Sequence, residues 1–94
     1  MRVRWLKKAI KNLDAEANYI AQENLTAAAE MFVYIKTKVD ALSEFSSLGR
    51  PGRVPGTREL IIDKYPFVVP YRVVGEELHV LRVFHTRRKL PKAW

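Results

Sequence analysis

The 94-residue chain has no cysteine, only four glycines and five prolines, and no long apolar run. Without cysteine there can be no disulfide, and zinc sites built from thiolates are excluded. The missing thiols also fit a reducing compartment. No stretch approaches the roughly 18 apolar residues of a membrane span, and the start "MRVRWLKKAI" has charge without an apolar core behind it. The expectation is a soluble cytoplasmic protein without a membrane partner. Its length suits one domain over residues 1–94, with a thin core.

What the chain does have is positive charge, and it is unevenly placed. The net charge is +7, from 17 Lys/Arg against 10 Asp/Glu. Residues 1–48 hold seven basic and six acidic side chains, a balance of +1, and residues 49–94 hold ten against four, a balance of +6. Such a concentration points to a nucleic acid or an acidic polypeptide as partner, the alternative being a solubilising surface.

The two halves also differ in period. Val3 and Trp5 alternate with arginines as in a short strand. Ile10, Leu13, Ala17, Ile20 and Ala21 then recur at helical spacing. Asn24 reads as the N-cap of a second helix with Ala28, Phe32, Ile35, Val39 and Leu42 on one face. A short connection around Asn24 makes the two helices antiparallel neighbours. Gly49 is placed to end the second helix in a left-handed turn.

Beyond Gly49 the period falls to two. Arg58–Asp63, Pro66–Gly75 and Glu77–His85 read as strands, with Gly75-Glu76 as a compact hairpin turn. Pro70 cannot donate to a ladder, which implies a sheet edge or a bulge there. The expected fold is α+β: an N-terminal antiparallel helical hairpin packed on a small, mainly antiparallel sheet in the order β-α-α-β-β-β. "LGRPGRVPGTREL" (Leu48–Leu60) is then the crossover from helices to sheet. It leads into a strand, and no Lys-Ser/Thr pair opening a helix follows it, so it is no nucleotide-binding P-loop.

Chemical motifs are sparse. On one continuous strand His79 and His85 would lie on the same side about 20 Å apart, too far to share a metal. No Ser-His-Asp order exists, and Asp14/Glu16 and Glu76/Glu77 read as solvated pairs. No metal or cofactor is expected. The remaining cluster is "FHTRRKLPKAW", where His85, Arg87, Arg88, Lys89 and Lys92 follow the last strand. Imidazole beside guanidinium can perform phosphodiester chemistry; a basic segment that binds an acidic partner is the alternative.

The pieces "LGRPGRVPGTRELIID", "YPFVVPYRV" and "LHVLRVFHTRRKLP" behind two helices closely resemble the RelE/ParE superfamily of small bacterial toxins. The likeness covers nearly the whole chain. It implies the toxin of a type II toxin–antitoxin module, neutralised by a ParD-like or RelB-like antitoxin, with operator DNA contacted only through that antitoxin. RelE-like members cleave messenger RNA on the ribosome; ParE-like members inhibit DNA gyrase and have no recognised catalytic site. The RelE-like pattern places an arginine where this chain has Val68, and paired lysines where Arg53 and Arg58 stand. The resemblance therefore favours a gyrase inhibitor that arrests growth. The alternatives are a ribosome-dependent endonuclease using His85, Arg87, Arg88 and Arg58, and a non-toxic antitoxin-binding regulator. Arg50, Arg53, Arg58, Arg72, Arg82, Arg87, Arg88, Lys89 and Lys92 form the candidate partner-binding surface.

Overall fold

A computed structural model describes residues 1–88 and 90–94. Strand β1 (Arg2–Trp5) leads into helices α1 (Lys7–Ala21) and α2 (Leu25–Asp40), then a 3-10 turn at Ala41–Ser43. Strands β2 (Arg50–Pro51), β3 (Arg58–Ile62), β4 (Phe67–Val74), β5 (Glu77–Val80) and β6 (Phe84–His85) follow. The sheet order is β1-β5-β4-β3-β2, with β6 also on β4. Among the described residues only the β1–β5 pair is parallel. The α+β reading holds, with two short strands added.

Asn24 caps α2 as expected, its Oδ1 accepting from the Ala27 N–H at 3.0 Å. The buried face of α2 is Ala28, Met31, Ile35 and Val39, continued by Leu42, and Phe32 is only half-buried. On α1 the buried stripe is rotated from the expected one. Ala9, Leu13 and Glu16 are covered, whereas Ile10 remains exposed. The correction has a clear cause: once β1 fixes where α1 begins, the face towards the sheet starts at Ala9, and steps of four and three carry it through Leu13 to Glu16. Leu60, Ile62, Phe67, Val69, Tyr71, Leu78 and Val80 meet these helical residues in one apolar core.

Gly75 has a positive φ of 62° and, with Glu76, turns β4 into β5, so the hairpin stands as read. Gly49 does not end α2, which stops at Asp40. It is buried against Tyr71, where a Cβ would meet Cε1 at 2.6 Å, and its φ is not positive. What that position requires is the absence of a side chain.

The run Glu77–His85 is not one strand. Tyr71 pairs with Val80 and Val68 with Phe84, so Leu81–Val83 oppose Val69 and Pro70, three residues against two. This is the bulge that Pro70 implied. Pro70 sits inside the sheet and contributes its carbonyl, accepting from Leu81 N–H at 2.9 Å. The inserted residue switches faces: His79 lies on the outer side of the sheet with Arg4 and Arg72, and His85 on the helix side with Phe67. The two histidines therefore do not share a side, contrary to the continuous-strand reading.

Candidate target-binding surfaces

The basic residues separate onto two surfaces. The first is the outer face of the sheet, turned away from the helices. Across β1, β5 and β4 the register aligns Arg4, His79 and Arg72. His79 Nε2–H donates to Glu77 at 3.0 Å, and Arg2 and Arg4 approach the same carboxylate at 4.0 and 3.9 Å. The bond from His79, with the nearby arginines, holds the Glu77 carboxyl below its ordinary value despite partial burial. Arg72 is exposed, and among the described residues it has no acidic partner.

Farther along this face, Glu59 is buried to 2 % exposure. Arg50 Nη2 donates to its Oε1 at 3.0 Å, and the Arg53 backbone N–H donates to Oε2 at 2.8 Å. Burial alone would push this carboxyl up. The Arg53 amide and the Arg50 guanidinium outweigh burial and hold it below the usual glutamate range. Arg50 and Arg53 therefore fasten the crossover loop to β3 as well as carrying charge.

The middle of the outer face is covered. Val68 is fully buried and paired with Phe84, whose ring lies 5.4 Å from that of Trp94. Trp94 Nε1–H donates to Thr57 Oγ1 at 3.3 Å, and Arg53 lies 5.8 Å from the indole. Arg82, seated in the bulge, donates to Asn12 Oδ1 at 2.8 Å and to the Trp94 carbonyl at 3.1 Å, with its guanidinium 4.5 Å from the Phe84 ring. Asn12 on α1 also accepts from the Val83 N–H at 3.2 Å. The sequence reading passed over Asn12, whose contacts depend on a bulge 70 residues away.

The second surface is a groove of about 370 Å³ where α1 meets β6 and the β3–β4 turn. His85 stands edge-on to Phe67 at 5.4 Å. Its Nδ1 accepts from the Arg87 N–H at 3.2 Å, so a neutral ring carries its proton on Nε2. Arg88 donates to Glu16 Oε1 at 3.0 Å. Glu16 is only 7 % exposed, and its Oε2 has no partner among the described residues. The solvated reading of Glu16 is thus overturned. The signal lay in its spacing, since it falls three residues beyond Leu13 on the apolar stripe.

The structure therefore brings His85, Arg87 and Arg88 together. It leaves Arg58 apart, donating to the carbonyls of Gly49 at 2.8 Å and Ser47 at 3.4 Å. Arg58 pairs with Tyr71, and His85 with Phe67, four residues or about 13 Å along β4. Lys92 is exposed, and Lys89 lies outside the described residues. Among the described residues no group of three His, Asp or Glu side chains is placed to hold a metal ion, and no helix is long and apolar enough to cross a membrane.

Residues 3–90 match the family described as the ParE toxin of the type II toxin–antitoxin system parDE. The chain is 38 % identical over 91 residues to the Y4kP protein of Sinorhizobium fredii, covering 97 % of this chain and 94 % of that one. It is 33 % identical over 87 residues to the toxin RelE2 of Caulobacter vibrioides, covering 93 % and 97 %. A solved structure of the chromosomal ParDE toxin–antitoxin system from P. aeruginosa superposes with a TM-score of 0.86 at 32 % identity, over 90 % of this chain and 95 % of that one.

Proposed function

The chain belongs to the ParE toxin family of type II toxin–antitoxin systems, and from that premise we propose that it arrests growth by inhibiting DNA gyrase rather than by cutting RNA. The observation that carries this reading is the covered outer face. Val68, which stands where the RelE-like pattern puts its strand arginine, is fully buried beside its cross-strand partner Phe84, whose ring in turn lies against Trp94. Arg50 and Arg53 are drawn onto Glu59. A scissile phosphate has neither an open floor nor a ring of unengaged cations there. What the outer face offers is a shaped, positively charged relief suited to gripping a macromolecule. The test adds purified toxin to a gyrase supercoiling reaction and, separately, to a translation reaction. Blocked supercoiling with intact messenger RNA is expected; normal supercoiling at a molar excess of toxin would refute the proposal. The convergence of His85, Arg87 and Arg88 is what favours the endonuclease reading, and the translation reaction measures it.

The toxin–antitoxin family implies an antitoxin partner. We place its seat on the helical hairpin. Ile10 is 46 % exposed and Val33 61 %. A groove of about 250 Å³ between the helices has Trp5, Ile10 and Phe32 among its walls. A segment that folds on binding would cover this apolar surface, and acidic side chains on it would meet the basic strands. Operator DNA is then contacted through the antitoxin.

A further inference from the structure

The groove at α1 and β6 has a composition that neither gyrase inhibition nor antitoxin binding requires. The lining carries cations, Arg87 and Arg88, beside His85, whose Nδ1 is taken up by the Arg87 N–H. The walls are aromatic, Tyr19 from α1 and Tyr65 from the β3–β4 turn. The lining also includes a buried carboxylate, Glu16, one of whose oxygens has no donor among the described residues. The volume, about 370 Å³, is in the range of small-ligand pockets.

Each feature narrows the ligand. The cations ask for an anion and the rings ask for a flat partner. The carboxylate asks for N–H donors, which argues against a purely acidic peptide, whose side chains would be driven against Glu16. Phosphate, flat ring and N–H donors occur together in a nucleotide. Among the bases, guanine alone presents two adjacent donors, its ring N1–H and its exocyclic amino group, which match the two oxygens of a carboxylate. The other bases set an acceptor beside a donor and satisfy one oxygen only.

We propose that this groove binds a guanine nucleotide, with the phosphate on Arg87 and His85 and the base between Tyr19 and Tyr65, its donors turned to Glu16. Arg88 is the movable member. Its side chain is 66 % exposed and lies across Glu16, so transfer of its guanidinium to the arriving phosphate opens the carboxylate to the base. The nucleotide is bound and not altered. The site stands apart from the outer sheet face, so it is independent of whether gyrase is the target.

Calorimetric titration of the purified toxin with GMP, AMP, inorganic phosphate and a short single-stranded DNA ending in guanine tests this. GMP is expected to bind roughly tenfold or more tighter than AMP or phosphate, the usual worth of one additional bidentate base contact. Glu16→Gln should erase that preference without weakening the response to phosphate, since it frees Arg88, and Arg87→Ala should weaken every ligand. Tyr19 is 71 % exposed, so Tyr19→Ala keeps the fold and should weaken GMP while sparing phosphate. An oligonucleotide that binds more tightly than GMP identifies the ligand as a strand end; tighter GMP identifies a free nucleotide. Equal affinity for GMP, AMP and phosphate, or no heat with any of them at millimolar concentration, overturns the proposal.

Discussion

At the scale of single residues, two buried polar groups hold the crossover that joins the helices to the sheet. Tyr71 is fully buried; its hydroxyl accepts from the Gly49 N–H and donates to the Ser46 carbonyl, both at 2.8 Å. Tyr71→Phe leaves both backbone groups without partners and is expected to cost about 1–3 kcal/mol by urea unfolding. Gly49→Ala drives a methyl into the same ring and should cost about 1–3 kcal/mol by overpacking. A neutral result for Gly49→Ala would show that the turn yields to the ring. Glu59 gives the fold a dependence on pH. Its folded pKa lies below that of the unfolded chain, so its contribution is complete above the unfolded value and is lost as pH falls through the folded one. The urea midpoint should therefore decline below about pH 4.5, the ordinary glutamate range. In Glu59→Gln the midpoint should start lower at neutral pH and decline less steeply.

At the scale of elements, the bulge between β5 and β6 decides which side chains reach which surface. Its three residues are held from the helix layer by Asn12, which accepts from both the Val83 amide and Arg82. Asn12→Ala is expected to cost about 1–2 kcal/mol, and Asn12→Asp, which keeps the acceptor, should recover most of it. Equal losses in the two variants would mean that the acceptor is not what matters. The same element shows what the sequence could disclose. The Asn24 cap and the Gly75 hairpin are local and were readable, and Pro70 signalled a defect in the ladder. Which strand took the extra residue was not readable, because the alternation of Glu77–His85 continues without a break across it. Arg82 on the apolar side was the one irregularity. The position of Glu16 on α1 was legible only in part: its spacing from Leu13 marked it, but the phase of the stripe depends on Ala9, and not Ile10, facing the sheet. The separation of the basic residues onto two surfaces follows from that extra residue, and so no one-dimensional reading reaches it.

At the scale of the whole molecule, a charge of +7 is divided between cations that hold the fold and cations that face solvent without a partner. Arg50 and Arg53 engage Glu59, and Arg58 engages two carbonyls. Arg72 is exposed and meets no carboxylate among the described residues. Arg72→Ala is therefore expected to leave the melting temperature within a degree or so, the behaviour of a surface substitution away from any network. Under the gyrase proposal it should nevertheless weaken inhibition, with an effect that shrinks as salt rises. Arg50→Ala should do the reverse, lowering stability first and activity only in proportion to the folded fraction. Val68→Arg discriminates between the two mechanisms of the superfamily. Were the RelE-like arginine merely missing, restoring it would create RNA cleavage. Val68 is fully buried beside Phe84, so a guanidinium there is cut off from water, and the Glu59 carboxylate on the same face is already engaged by Arg50 and Arg53. The expected outcome is a loss of several kcal/mol, of the order of an unpaired buried charge, and no cut messenger RNA. A folded Val68→Arg variant that cleaves RNA would show that the cover over the outer face lifts, and that the two branches differ by one side chain instead of by the way the sheet is closed.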